Sequence, residues 1–304
     1  MYDTTNFWVS AERVGDCTPT LNALEDVSRT LYNDRKRYYI HGRLQNYDVF
    51  VGDAGVSVKG GSLNKWQLSN NYEPLTRQGA EDAVNSLSDA LHLPMAEAKV
   101  TRLDYGACFV LSEPPSVFLE QLGTLQDAER TKDRTSLYYH SAKDVLCLYD
   151  KNTETKTHSE RVPTKYKGKN VLRYEQRLMN PTQINTAFQM AVTGATLYNA
   201  NFFAKVVEVW KSRYNEIEKL ENLNFMYIDS IKDYFKVCAY IVNEQHGGMD
   251  AVLNLIKKAQ NQGLDRRKAQ RFREAVKSVY EGLTESQQKE IEELTQKINE
   301  YAKQ

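Results

Sequence analysis

Val145-Leu146-Cys147-Leu148-Tyr149-Asp150-Lys151 is a short apolar run that ends on a tyrosine. Two other segments share its character: Val100-Thr101-Arg102-Leu103-Asp104-Tyr105 and Val171-Leu172-Arg173-Tyr174-Glu175-Gln176-Arg177-Leu178. β-Branched and aromatic residues dominate all three, and side chains alternate with period two, so each reads as a strand. In the second, Arg102 and Asp104 share a face, with Leu103 and Tyr105 opposite. In the third, Arg173, Glu175 and Arg177 share a face, with Leu172, Tyr174 and Leu178 opposite. Tyr149 lies on the face away from Leu146 and Leu148. If the three strands pair, one sheet face gathers a phenol, two carboxylates and several guanidinium groups. The other face is apolar enough to pack on helices.

Outward from these strands, Phe7-Trp8-Val9 begins another, and residues 20–32 suit a short helix or loop. Arg37-Tyr38-Tyr39-Ile40 and Tyr47-Asp48-Val49-Phe50-Val51 read as a hairpin, with Gly42 and Asn46 supplying turn chemistry. Val56–Lys59 follows as a strand, and residues 78–91 form an amphipathic helix with Ala80, Val84, Leu87 and Leu91 on one stripe. A helix over 116–123, a polar connection over 124–134, a strand over 135–140 and a strand-free basic segment over 151–169 complete this half. Strands mixed with a few helices, without β-α-β alternation, predict an α+β domain around a mostly antiparallel sheet. Past Asn180-Pro181 the pattern turns helical, over 197–219, 228–245, 250–260, 265–282 and 284–303. The expected organisation is an α+β catalytic domain over 1–180 and an all-α, DNA-binding domain over 181–304.

Across 304 residues the formal net charge is zero, so bulk charge selects no partner. Its distribution does. Residues 151–180 carry eight Lys/Arg against three Glu, and residues 251–280 carry eight against two acids, whereas 281–304 holds six Glu against three Lys. Two basic islands in a neutral chain suit local contact with phosphate, although solvated helix faces also carry such charge. The four cysteines, Cys17, Cys108, Cys147 and Cys238, are widely spaced and read as free thiols. No apolar run approaches the ~20 residues that span a bilayer. The N-terminus shows no signal-peptide pattern, and a cytoplasmic location, with no membrane partner, is expected.

A tyrosine that attacks phosphorus keeps the energy of the broken phosphodiester in a phosphotyrosyl ester, so a 3′-hydroxyl can reseal the strand. Such chemistry needs a cation at the phosphate oxygens. Mg²⁺ (or Mn²⁺) takes hard oxygen ligands, often one or two carboxylates with water and phosphate, which Asp104 and Glu175 could provide. Arg102, Arg173, Arg177 and Lys151 could neutralise phosphate and depress the phenol's pKa. From spacing alone, a strand-end tyrosine is structural far more often than catalytic, and an Arg/acid pair on a strand face is usually a cross-strand salt bridge. Tyr138 and Tyr139 are rival nucleophiles, His140 a rival metal or DNA contact, and Trp66 and Tyr72 candidates for stacking on bases.

The segments Val100–Asp104, Leu146–Lys151 and Val171–Arg177, in this order and separation, resemble the phage and plasmid rolling-circle replication proteins related to the filamentous-phage initiator. Gly61-Ser62-Leu63-Asn64-Lys65 followed by Asn70-Asn71 is similar to that family's Gly-Ser-x-x-Lys…Asn-Asn element, with Ser69 standing where a glycine is expected. Leu197-Tyr198-Asn199, Phe202-Phe203, Trp210 and Tyr214 resemble the start of its helical region. No His-hydrophobe-His run occurs among His41, His92, His140, His158 and His246, which separates the chain from histidine-liganded HUH nucleases. The resemblance implies that Tyr149 is the nicking nucleophile, with Lys151 as phosphate or proton-transfer partner. Asp104 and Glu175 become metal carboxylates and Glu154 a third acid. Ser62, Lys65, Asn70, Asn71, Arg102, Arg173 and Arg177 would contact DNA or phosphate. Beyond the reach of the resemblance, which fades after about residue 215, the charge of the second basic island suits Arg266, Arg267, Lys268 and Arg271 to lie along duplex DNA or enter a groove, with no specific base contact legible in the sequence. The implied activity is nicking and rejoining of one strand at a replication origin, in the cytoplasm of a bacterial host, with host helicase and polymerase as partners. A non-cleaving DNA-binding regulator, and a mobilisation relaxase or transposase, remain the alternatives.

Overall fold

The computed structural model describes residues 1–31, 38–158, 161–220, 230–280 and 289–303. In chain order the first half runs β1 (Tyr2–Ser10), α1 (Ala11–Val14), α2 (Thr18–Asn22), β2 (Glu25–Leu31), β3 (Tyr38–Leu44), β4 (Tyr47–Gly52), β5 (Gly55–Lys59), α3 (Leu63–Leu68), α4 (Arg77–Leu91), β6 (Lys99–Leu111) and α5 (Pro115–Glu120). Then come β7 (Glu129–Asp133), β8 (Ser136–His140), β9 (Val145–Asp150), α6 (Lys151–Thr157), β10 (Asn170–Leu178), α7 (Pro181–Phe188), α8 (Gly194–Leu197) and α9 (Ala200–Asn215). The helices α10 (Ile231–Gln245), α11 (Gly248–Asn261), α12 (Arg266–Tyr280) and α13 (Lys289–Tyr301) follow. The fold is α+β. Ten strands form a single antiparallel sheet in the order β2-β3-β4-β5-β1-β6-β10-β9-β8-β7.

The three decisive segments are the adjacent strands β6, β10 and β9, with Glu175 opposite Gly106 on one side and Cys147 on the other. Period two then decides what each face meets. Leu172, Tyr174, Gln176 and Leu178 point one way, and Tyr174 stacks on Trp210 of α9 with ring centroids 4.8 Å apart. The Tyr174 hydroxyl donates to the Trp210 carbonyl at 3.0 Å. Arg213 of α9 grips Asp144 with Nε and Nη2, both at 2.9 Å, and Gln176 Nε2 adds a third donor at 2.6 Å. These contacts fix the helical layer on the sheet.

Several elements differ from expectation for physical reasons. Residues 20–32 hold the end of α2 and the edge strand β2, and the polar connection 124–134 contains β7. Every residue of both strands is exposed, so neither buries a face that would print an alternating pattern. Gly42 lies inside β3 rather than in a turn; a Cβ there would stand 2.8 Å from the Leu24 Cβ. The turn is made by Gln45, at φ +50°, and Asn46. The basic segment after Tyr149 is strand-free among its described residues, as expected, and opens as a helix, α6, because Asp150 caps it by accepting the amides of Asn152 and Thr153. Arg37, the helical stretch at 228–229 and the junction 281–288 lie outside the described residues.

By contacts the chain divides into one unit of Met1–Glu218 with Leu294–Gln304, and a second of Lys219–Glu293. The first contains the sheet with α1–α9. The second contains α10, α11 and α12, packed against one another. The four cysteines are free. Among the described residues no helix is long and apolar enough to cross a membrane.

Candidate active site

A cavity of about 340 Å³ opens on the polar face of β6, β10 and β9. Tyr149, Asp104, Glu175, Glu154, Arg102 and Arg177 line it, joined by Ser62, Lys65 and Asn71. Antiparallel register produces this meeting: Arg177 stands opposite Asp104, and Arg173 opposite Tyr149. Glu175 sits at the centre. Its Oε1 accepts Arg177 Nε at 3.0 Å; its Oε2 accepts Arg173 Nε at 3.2 Å and the Tyr149 hydroxyl at 3.3 Å. Asp104 is gripped by Arg102, with Nε 3.0 Å from Oδ1 and Nη2 2.6 Å from Oδ2.

Both acids are buried, at 1% exposure for Asp104 and 3% for Glu175. Burial pushes the Asp104 carboxyl up to about 7; the hydrogen bond from Arg102 opposes that rise, and the neighbouring Glu175 adds to it. A carboxylate whose charge is opposed by burial and by a second acid beside it forms a setting a cation would relieve. The Tyr149 phenol is raised well above its ordinary range, first by burial and then by Glu175, with Arg173 pulling the other way. Arg173 does pull the phenol down, as expected, but the net shift is upward. Burial and the acid outweigh the cation, and the phenol is a neutral hydrogen-bond donor in the protein alone.

Lys151 is wholly buried and ion-paired with Glu154. Its Nζ stands 5.9 Å from the centroid of the Tyr149 ring. Ser62 caps α3 by accepting the Lys65 amide at 3.2 Å. Asn71 lines the cavity, whereas Asn70 does not: its Oδ1 accepts the amides of Tyr72 and Glu73 and closes the local turn. Ser69 ends α3 at φ +55°, a left-handed conformation that explains the glycine expected there. Tyr72 is buried and bonded to α6, the Tyr139 hydroxyl donates to the Gly123 carbonyl at 2.8 Å, and Tyr138 stacks on His140. None of these four lines the cavity, and neither does Trp66, whose Nε1 donates to Ser86. Arg266, Arg267, Lys268 and Arg271 belong to α12, in the second unit.

Four lining residues, Asp3, Thr4, Asn46 and Gly60, are not among the candidates the sequence offers, and Asp3 is the charged one. Asp3, on β1, accepts Arg173 Nη2 at 2.6 Å and Asn71 Nδ2 at 3.3 Å through Oδ2. Burial opposes its charge, but Arg173, Ser62, Lys151 and Lys65 hold its carboxyl below the usual range. Two register shifts in the pairing of β1 with β6 break the alternation there, so period two in the sequence gives no hint of Asp3's face.

Among the described residues no group of three or more His, Cys, Asp or Glu side chains is arranged to hold a metal ion. Asp104 and Glu175 supply two hard carboxylates beside a cavity, and that donor set fits a Mg²⁺ that completes its shell with water and phosphate.

The sequence pattern that describes the N-terminal region of a family of phage replication-associated proteins matches residues 1–197. The chain belongs to this family. Its role therefore lies in phage DNA replication, and membership implies contact with DNA. The matched region contains the whole cavity. No curated protein matches the chain.

Proposed function

We propose that this phage replication-associated protein initiates rolling-circle replication by nicking, and later rejoining, one DNA strand through Tyr149. The observation that carries the reading is the Tyr149 hydroxyl bonded to Glu175 Oε2 at 3.3 Å, inside a cavity shared with Asp104 and basic side chains.

In the forward step the Tyr149 oxygen forms a bond to the scissile phosphorus, and the bond from phosphorus to the 3′-oxygen breaks. Glu175 accepts the phenolic proton, and water supplies the proton taken up by the departing 3′-oxygen, leaving a 3′-hydroxyl and a 5′-phosphotyrosyl ester. The high pKa of Tyr149 makes such a base necessary. Arg102 and Arg177, each partly exposed at the cavity, receive the phosphate charge. Arg173, held from behind by Asp3, keeps Glu175 oriented. When bound, Mg²⁺ or Mn²⁺ at Asp104 and Glu175 would stabilise charge on the non-bridging oxygens. Rejoining is the reverse attack, with Glu175 returning the proton to Tyr149. The free 3′-hydroxyl would prime a host polymerase behind a host helicase.

The test is incubation of the protein with a single-stranded oligonucleotide carrying the nick site. Wild-type protein should yield a covalent 5′-linked adduct, and Tyr149→Phe none, with oligonucleotide binding retained. Adducts that persist in Tyr149→Phe would refute the assignment.

A further inference from the structure

The second unit contains a feature that the cavity chemistry does not use. Helix α11 ends in a complete glycine cap: the Leu264 amide donates to the Ala259 carbonyl at 3.0 Å, the Gly263 amide to the Gln260 carbonyl at 3.2 Å, and Gly263 holds φ +109°. Only residues 262–265 separate α11 from α12. Asp265 starts α12 at once, its Oδ1 accepting the amides of Arg267 and Lys268 at 3.0 and 3.1 Å. The two helices pack on each other and on α10, with Tyr240 and Tyr280 in edge contact at 5.2 Å. Two packed helices joined by a four-residue, glycine-containing turn are the connection shared by the αα-hairpin and the helix-turn-helix.

The charge on α12 is placed to match. Ala269 and Val279 are its buried residues. At 100° per residue, Arg267, Gln270, Arg271 and Glu274 occupy the opposite side, and all four are exposed. Arg266 flanks this side, whereas Lys268 lies in line with Val279 but in the first turn, and both are exposed. Six Lys/Arg against one Glu make the helix net +5. Arg273 bonds Gln260 of α11 and so serves the packing, whereas Arg267 and Arg271, one turn apart, face outward. Among the described residues neither meets a carboxylate. Lys257 and Lys258 on α11 are exposed in the same hairpin.

We propose that α11 and α12 form a duplex-reading helix-turn-helix, with α12 entering the major groove and Arg267 and Arg271 contacting base edges. It rests on the reading that the protein acts on DNA and adds which part selects the sequence. A major groove admits one helix, and the second helix of such a motif presents its N-terminal half to the bases. Arginine pairs through two donors with guanine O6 and N7, so the recognised site carries guanines at the positions Arg267 and Arg271 reach. Arg266, Lys268, Lys257 and Lys258 hold the flanking phosphates.

The full chain is tested by selection from a duplex pool with a randomised centre, in chelating buffer, where no cleavage is needed. The expected result is one enriched motif with guanine at two positions. Arg267→Ala with Arg271→Ala should lower affinity for that motif by roughly 10- to 100-fold and relax both positions. Arg267→Lys with Arg271→Lys, which keeps the charge and loses the two-pronged donor, should retain binding to random duplex and lose the preference. No enriched motif, the same motif in both variants, or an equal loss on every duplex would overturn the proposal. The adduct assay on single strands probes Tyr149 separately, so the failure of either reading is visible without the other.

Discussion

Strand β10 carries a buried arginine–carboxylate cluster on each of its faces, and the two are built differently. On the helical face, Arg213 meets Asp144 through two parallel bonds, Gln176 adds a donor, and Ser141 Oγ donates to Asp144 Oδ1 at 2.7 Å. The Asp144 carboxyl is held below its usual range: burial opposes its charge, and Arg213, Ser141 and Gln176 overcome that. On the other face, Asp104 is displaced upward by the same burial, a phenol shares Glu175 with two arginines, and the group opens on a cavity. A closed cluster whose charges are matched holds a helix to a sheet. A cluster that leaves an acid raised and a phenol hydrogen-bonded at a cavity wall has capacity left for a substrate.

That contrast can be broken by mutation. The largest effect on activity should come from Glu175→Gln, which removes the proposed acceptor of the phenolic proton. Adduct formation should fall by about 10²- to 10⁴-fold, while urea denaturation shows a folded protein, since Arg173 keeps Asp3. If Glu175→Gln nicks at the wild-type rate, the base is elsewhere. The largest effect on stability belongs to the other face. Arg213→Ala strands Asp144 inside the fold and should cost roughly 3–5 kcal/mol in urea unfolding; a loss below about 1 kcal/mol would show that the closed cluster is not what holds α9.

A smaller, signed effect sharpens the comparison. Because the folded carboxyl of Asp104 is raised to about 7, the folded state binds its proton more tightly than the unfolded chain does. Its ionisation therefore weakens the fold as pH climbs from the ordinary carboxylate range through about 7, and the group is least costly at low pH. In chelating buffer, Asp104→Asn should flatten this slope and gain about 1–2 kcal/mol at pH 8. An unchanged slope would mean that Asp104 ionises normally. Smallest of all, Ser69→Gly relieves the left-handed conformation at φ +55° and should add about 0.5 kcal/mol to stability, read as a shift in melting temperature.

What the sequence discloses follows from what each strand buries. Strands β6, β9 and β10 bury one or both faces, so the alternation of Arg173, Glu175 and Arg177 against Leu172, Tyr174 and Leu178 is printed in the chain and places the cavity acids on one side. β2 and β7 bury neither face and leave no pattern. Asp3 hides for another reason: a register shift uncouples its side from its neighbours' in β1. Arg173 reads as a phosphate ligand in isolation, yet the fold commits it to Asp3, Glu175 and the Asn71 carbonyl at 2.7 Å. Partners far apart in sequence decide that role. The basic residues of α12 are plain in the sequence, while their exposure opposite Ala269 and Val279 needs the helix pair.

The most direct test of the central claim is to digest the covalent complex formed on a 3′-labelled, single-stranded nick-site oligonucleotide and to locate the modified peptide by mass spectrometry. The account places the nucleotide on Tyr149, in the peptide that contains Val145–Lys151. Attachment to Tyr138, Tyr139 or any other residue would contradict it.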